Sequence, residues 1–271
     1  WVFKQLWDQD LVYKAFRSTP YCIRCATPLS NFEVSINYKD TKDTAVYVKL
    51  FVNPASLPEK LKDIDQKLFL LIWTTTPWTL PGNAAVAVGL DIEYVVVEYE
   101  GDFIVIANDR VEEVLGSDVK VMQKISVDDL VGLKYEALYQ LKLSDEENSD
   151  KAYRVVLGDH VTAEDGSGLV HIAPAFGEED LELGKKEGLP VLRTVDTSGK
   201  MSSMVSQWVG VNIFEVNSKV VTDLEERGLL LKKEKYKHSY PFCWRCETPL
   251  IYYALDSWFV KVSAIKDKMI E

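Results

Sequence analysis

The sequence predicts a mainly β fold with attached helices, and three observations carry that prediction. Short apolar or alternating runs recur at close spacing, turn signals separate them, and helical periodicity is confined to a few segments. In chain order the strand candidates are 45–52, 68–73, 84–88, 93–99, 103–107, 153–157 and 168–172. They are rich in β-branched and aromatic residues, which suit a pleated, half-buried surface. Gly101 and Asp165-Gly166 mark hairpin-like turns. The helical pieces are 108–115, ending before Gly116; 126–130, with Ser126 as its cap; 178–186, with an acidic first turn; and 214–227. In the last of these Val216, Val220 and Leu224 share one face, and Gly228 stops the helix. Many closely spaced strands with few long helices favour a β-barrel core over a doubly wound sheet. No dinucleotide or phosphate-cradling glycine fingerprint is present.

At 271 residues the chain has room for one large domain or two unequal ones. With 47% hydrophobic and 27% charged residues it is neither disordered nor low-complexity. Its longest apolar runs, such as 68–73, are far too short to span a bilayer, which excludes an integral membrane role. The N-terminus begins inside an amphipathic pattern without an initiator Met, as an excised segment would, so no targeting signal is readable. Lys and Arg number 31 against 42 Asp and Glu, a net charge of −11, opposite to the basic excess of proteins that grip a polyanion. The one local basic cluster, Lys232 to Lys237, reads first as a solvated hairpin and second as a phosphate-facing surface.

The four cysteines form two C-x-x-C pairs, Cys22 with Cys25 and Cys243 with Cys246, each inside a repeated S-x-P-aromatic-C-x-R-C-x-T-P-L segment. Two thiolate pairs on similar turns supply the closed tetrahedral shell that a structural zinc prefers. The pairs stand at opposite ends of the chain, far beyond the roughly 12–20 residue spacing of ordinary zinc modules. A shared metal therefore clamps the ends together, as the neck of an inserted domain requires. Two local disulfides or plain buried thiols are the competing readings. A redox C-x-x-C fits less well, because neither pair opens a helix after a strand.

Two segments gather polar groups where strands end. In the first, Trp73-Thr74-Thr75-Thr76-Pro77-Trp78-Thr79, Pro77 cannot donate to a sheet ladder, so the strand stops and frees threonine hydroxyls and amides that can hold a carbonyl or ribose. The same threonines also fit an ordinary β-surface. The second, 165–180, reads as a turn, a strand carrying His171, a bend at Pro174 and a helix whose first turn holds Asp180. A structural histidine and a carboxylate serving only the helix dipole are the bland alternatives. His160 and His238 have no partner evident in sequence, and no nucleophile turn supports a Ser-His-Asp triad.

W-T-T-T-P-W-T-L-P-G-N at 73–83, G-S-G-L-V-H-I-A-P-A-F-G-E-E-D at 166–180 and H-S-Y-P-F-C-W-R-C-E-T-P-L at 238–250 together resemble the connective-peptide editing domains of isoleucyl-type class I aminoacyl-tRNA synthetases. The resemblance covers essentially the whole chain. Valyl and leucyl relatives usually carry T-T-R-P where this chain has Thr76-Pro77-Trp78, and His-Asp where it has Phe176-Gly177. Ser167 replaces a more usual Thr and keeps the hydroxyl. Lys200-Met201-Ser202-Ser203 is similar to the start of a synthetase K-M-S-K-S signature, but Met204 breaks it and no H-I-G-H counterpart exists, so no ATP chemistry is assigned.

The resemblance implies a β-barrel editing domain at 45–235 on a zinc-knuckle neck formed by 1–44 and 236–271. It implies hydrolysis of valine wrongly esterified to isoleucine tRNA, and possible hydrolysis of valyl-adenylate. Such a fine sieve answers the weak discrimination that one methylene allows, isoleucyl-tRNA synthetase being the standard illustration. Asp180 pairs with the substrate ammonium; Thr74, Thr75 and Thr76 hold the ester carbonyl, ribose and attacking water; His171 and Thr79, with Trp73 and Trp78, form a wall that admits valine and excludes isoleucine. Cys22, Cys25, Cys243 and Cys246 hold structural Zn2+. The implied partners are the 3′ end of tRNA(Ile), its valyl adenosine moiety and the rest of the synthetase in cis, which alone uses ATP; the implied location is the cytoplasm. A non-catalytic module guiding the tRNA 3′ end and a valyl-type editing domain are the rival functions.

Overall fold

The computed structural model describes residues 1–62, 67–141 and 149–270, and every candidate site residue lies within them. The strands are β1 (Val12–Cys22), β2 (Thr27–Pro28), β3 (Tyr38–Phe51), β4 (Leu68–Thr74), β5 (Ala85–Val88), β6 (Tyr94–Tyr99), β7 (Asp102–Ala107), β8 (Lys120–Ile125), β9 (Arg154–Leu157), β10 (Leu169–Ile172), β11 (Leu230–Pro241) and β12 (Ile251–Val260). The helices are α1 (Val2–Asp8), α2 (Asn31–Ser35), α3 (Val111–Leu115), α4 (Val127–Leu130), α5 (Glu178–Glu187), α6 (Ile213–Glu226) and α7 (Val262–Ile270). The expected strands and helices all form. Ser126 caps α4 by accepting the Asp129 amide. α6 starts one residue early because Asn212 takes the cap by accepting the Phe214 amide.

The body is one curled, half-barrel sheet of nine strands, and β4 is its branch point. One edge of β4 pairs antiparallel with β3 along its whole length, from Val46 opposite Thr74 to Phe51 opposite Phe69. The other edge is divided. Its first half pairs in parallel with β7, at Leu68 to Leu70, and its end meets β10 in parallel, at Trp73 and Val170. Ser167 fills the fork: its hydroxyl donates to the Leu71 carbonyl at 2.6 Å, and its own carbonyl accepts from the Ala107 amide at 2.9 Å. A deeply buried carbonyl with no partner costs about 1–3 kcal/mol, so this hydroxyl is a structural requirement of the split. Gly168 is required there too, because its φ is +76° and a Cβ would lie 2.4 Å from that of Ala107.

Apolar side chains on the concave face of the sheet, including Val46, Val48, Leu50, Leu70, Ile72 and Val105, form the main core under α6, whose Val216, Val220 and Leu224 are fully buried. Each such side chain contributes roughly 1.5–3 kcal/mol by leaving water. The other face is covered by α3, where Val114 and Leu115 pack on Leu71, Val95, Val97, Ile104 and Ile106.

One finding departs from the sequence reading. Lys232 to Lys237 is not a hairpin but the middle of the long strand β11, which pairs antiparallel with β3 from Leu230 to Pro241. Its charged residues disguised the pattern, since only the alternate positions are half-buried. In consequence the β3/β11 ribbon runs unbroken across the expected boundaries near 44 and 236. Beyond it β12, β1 and β2 make a separate antiparallel sheet, with Val12 opposite Val260 and Tyr21 opposite Ile251. In the K-M-S-S segment Lys200 and Met201 make isolated bridges to Asn212 and Val195, Met201 is buried, and Ser203 begins a turn.

Candidate functional site

The cysteine repeat folds into two equivalent turns. Leu29 N–H donates to Pro20 C=O at 2.8 Å, and Leu250 N–H donates to Pro241 C=O at 3.0 Å, so each P-to-L segment closes on itself. Ala26 and Glu247, each just after its second cysteine, both adopt left-handed φ, of 51° and 60°. The turns bring the four sulfurs within 4.8 Å of one another, all as unbridged thiols, beside buried Leu29, Val34 and Leu250. At a Zn–S distance of about 2.3 Å, tetrahedral sulfurs stand roughly 3.8 Å apart, so the set fits a closed four-thiolate metal site.

The second cluster lies at the carboxyl ends of β4 and β10. Because these strands run parallel, the chain leaves the sheet at Thr74 and at Ile172 on the same side, and a cleft of ≈ 350 Å³ opens between the exits. Trp73, Thr74, Thr75, Thr76, Thr79, His171 and Asp180 all line it. Trp78 does not. It is buried behind the wall, where its backbone N–H donates to Asn217 and its ring meets Phe176 edge-on at 5.0 Å, and Phe176 in turn lines the cleft. Pro77 turns the chain inward at that point, which places the indole in the core.

One wall is a closed hydrogen-bond network. Thr76 N–H donates to Thr74 Oγ1 at 3.1 Å, and Thr79 Oγ1–H donates to the Thr76 carbonyl at 2.7 Å. Thr79 Oγ1 also lies 3.1 Å from His171 Nε2, and Asn83 Nδ2 lies 2.8 Å from His171 Nδ1. Burial with no compensating anion pushes the His171 pKa down to about 4, so the ring is neutral at physiological pH. Thr75 has no hydrogen bond among the described residues, and the buried Trp73 Nε1–H likewise has no acceptor.

A second side of the cleft lining comes from Asp180, in the first turn of α5 beside Glu178 and Glu179. One carboxylate oxygen accepts the Ala173 amide at 2.9 Å, and no Lys or Arg among the described residues pairs with either oxygen. Burial pushes its pKa up to about 7, against a partial lowering by that amide. Gly177 makes room for the carboxylate, since a Cβ there would stand 2.7 Å from Asp180 Cγ. A carboxylate held this way favours any cation that reaches it.

Sequence reasoning missed several neighbours. Asn83 sat in the quoted motif without a role, and Tyr135, whose hydroxyl donates to Asn83 Oδ1 at 2.6 Å, is distant in sequence from every motif. His160 lines the cleft with a buried Nε2 that has no partner among the described residues, whereas His238 is paired, 2.7 Å from Asp43. A second groove of ≈ 620 Å³ begins at Thr75 and runs between α6 and the β3/β11 ribbon past Lys42, Lys235 and the exposed Phe214.

Residues 1–271 match the family described as tRNA synthetases class I (I, L, M and V) from end to end. The chain belongs to the class I tRNA synthetases. It is 44% identical over 271 residues to an isoleucine–tRNA ligase of Clostridium novyi and 44% identical over 270 residues to one of Thermus thermophilus. All of this chain is covered in both, but only 25% of each relative, so the chain corresponds to about a quarter of a synthetase. In structure it resembles the editing domain of a Plasmodium knowlesi cytosolic leucyl-tRNA synthetase (TM-score 0.53, 12% identity, 72% of this chain and 97% of that one). A leucyl-tRNA synthetase CP1 domain is similar at TM-score 0.52 and 14% identity, with 70% and 98% covered. These likenesses establish a synthetase editing-type fold. No helix among the described residues is long and apolar enough to cross a membrane.

Proposed function

We propose that the cleft hydrolyses valine wrongly esterified to the 3′ end of isoleucine tRNA, with valyl-adenylate as a second substrate. The observation that carries this reading is the Asp180 carboxylate, paired with no Lys or Arg among the described residues, lining one cleft together with the threonines and a neutral imidazole. The carboxylate takes the α-ammonium common to all aminoacyl groups, so anchoring ignores the side chain. Discrimination then falls to the wall of His171 and Thr79, where valine fits and the extra methylene of isoleucine collides. Sterics of one methylene supply about 1–3 kcal/mol, enough for a second sieve.

In the reaction a water attacks the ester carbonyl, the C–O bond to the ribose breaks, and the leaving oxygen takes a proton delivered through the neighbouring ribose hydroxyl. The Thr75 hydroxyl, free of internal bonds, and the Thr74 and Thr76 groups orient water and carbonyl. No covalent enzyme intermediate is invoked. The four thiolates of Cys22, Cys25, Cys243 and Cys246 would hold zinc, which would supply a structural cross-link between the chain's two cysteine turns and no catalytic chemistry. We assign 1–44 and 236–271 to the neck and 45–235 to the editing body. The rest of the synthetase in cis provides ATP chemistry and most tRNA affinity, in the cytoplasm.

The test is deacylation of preformed valyl-tRNA(Ile) and isoleucyl-tRNA(Ile). Selective valine release is expected. Binding without turnover indicates a guiding module, and preference for threonyl-tRNA(Val) indicates valyl-type editing; either result overturns the reading.

A further inference from the structure

Around His171 only one arrangement of hydrogens leaves every acceptor facing a donor. The Ala85 carbonyl can only accept, and it lies 2.9 Å from Asn83 Nδ2. Turning the amide over would set two carbonyl oxygens against each other, so the NH2 group must face Ala85. The same NH2 group faces His171 Nδ1 at 2.8 Å, which makes Nδ1 an acceptor. The ring hydrogen is therefore on Nε2 and is donated to Thr79 Oγ1 at 3.1 Å. Thr79 in turn spends its hydrogen on the Thr76 carbonyl. At the far end Tyr135, buried and kept protonated by burial, donates to the remaining Asn83 oxygen at 2.6 Å. Direction thus runs one way from Tyr135 through Asn83, His171 and Thr79 to Thr76.

We propose that Tyr135 and Asn83 are positioning residues that lock His171 in its Nε2–H tautomer, so that a fixed hydrogen-bond direction, and not ring bulk alone, holds the Thr79–Thr76 wall against which the aminoacyl side chain is measured. The clause about side chains rests on the editing function proposed above; the tautomer does not. Two consequences follow. His171 Nε2 carries a hydrogen and cannot take a proton from the attacking water, so it is a shape-setting donor and not a general base. The Thr79 hydroxyl is likewise committed, so in its 3.3 Å contact with Thr76 Oγ1 the Thr76 hydroxyl is the donor, which leaves Thr75 as the uncommitted hydrogen donor toward substrate.

The experiment uses the 271-residue chain. Long-range 1H–15N spectra of the imidazoles, with His171→Gln to assign the signal, read the tautomer directly. The wild type is expected to show an unprotonated Nδ1 and a protonated Nε2 from pH 6 to 8. Tyr135→Phe removes one hydroxyl, lets the amide turn, and should give a mixed tautomer population with at least a threefold loss of valine-over-isoleucine selectivity at nearly unchanged kcat for valyl-tRNA. Asn83→Asp, which can only accept, should reverse the tautomer to Nδ1–H. A wild-type ring protonated on Nδ1 overturns the lock, as does a Tyr135→Phe chain, folded by near-ultraviolet circular dichroism, with unchanged tautomer and selectivity. If the wild type fails to release valine while the Nε2–H pattern holds, the editing function falls and the lock stands.

Discussion

The two walls of the cleft solve the burial of a titratable group in opposite ways. On the side built from His171 of β10 and the threonines that follow β4, every polar atom of the His171 ring has a partner, and the ring is held neutral. On the α5 side Asp180 has one backbone amide, no cation, and a pKa raised to about 7. A fully satisfied network is rigid and measures shape, whereas an under-satisfied carboxylate is a vacancy for positive charge. On the proposed function the contrast assigns recognition and discrimination to separate elements, so each should fail alone.

Asp180→Ala gives the largest effect expected. Losing one partner of a desolvated charge pair costs about 2–5 kcal/mol, so deacylation of valyl-tRNA should fall at least about thirtyfold. The folded state should be retained, as judged by thermal melting. Metal removal is next: zinc should be found at one ion per chain by atomic absorption, and chelation or Cys22→Ser should lower the melting temperature of the neck well before the body, because a structural zinc contributes folding free energy directly. His171→Ala should leave valine release nearly intact and admit isoleucine, narrowing the ratio of the two rates roughly tenfold.

The walls also differ in sign with pH. Between 3.8 and about 7 the folded chain keeps an Asp180 proton that the unfolded chain has released, so this group makes stability fall as pH rises. Between about 4 and 6.5 the unfolded chain carries a His171 proton that the folded chain lacks, so this group makes stability rise with pH. In the wild type the two oppose each other. Denaturant melts from pH 4 to 6.5 should therefore show a steeper rise for Asp180→Asn than for wild type, and a shallower or falling profile for His171→Gln. Parallel profiles would contradict the assignment. The smallest effect belongs to the groove beside Thr75: Lys42→Ala and Lys235→Ala should each raise KM for valyl-tRNA a few-fold and reduce the salt slope by about 1, with kcat unchanged.

How much was legible in sequence depended on how local the chemistry was. The cysteine turns were plain, since a repeated spacing specifies repeated geometry, down to the left-handed Ala26 and Glu247. The apolar strands 68–73 and 168–172 were equally clear, and with them the threonines and His171 at their ends. β11 was obscured because one face of that ribbon is solvated and basic, so alternation was carried by Tyr236, His238 and Tyr240 instead of aliphatic residues. Trp78 read as wall because sequence order does not reveal that Pro77 turns the chain inward. Tyr135 was invisible, since what ties it to the cleft among the described residues is a tertiary hydrogen bond to Asn83.

The division of labour between the two walls is tested most directly by a crystal structure of the chain with a non-hydrolysable amide analogue of valyl-adenosine. The account predicts its ammonium in hydrogen-bond contact with the Asp180 carboxylate and its isopropyl group against His171 and Thr79. An analogue bound outside this cleft, or seated in it with the ammonium turned away from Asp180, would contradict it.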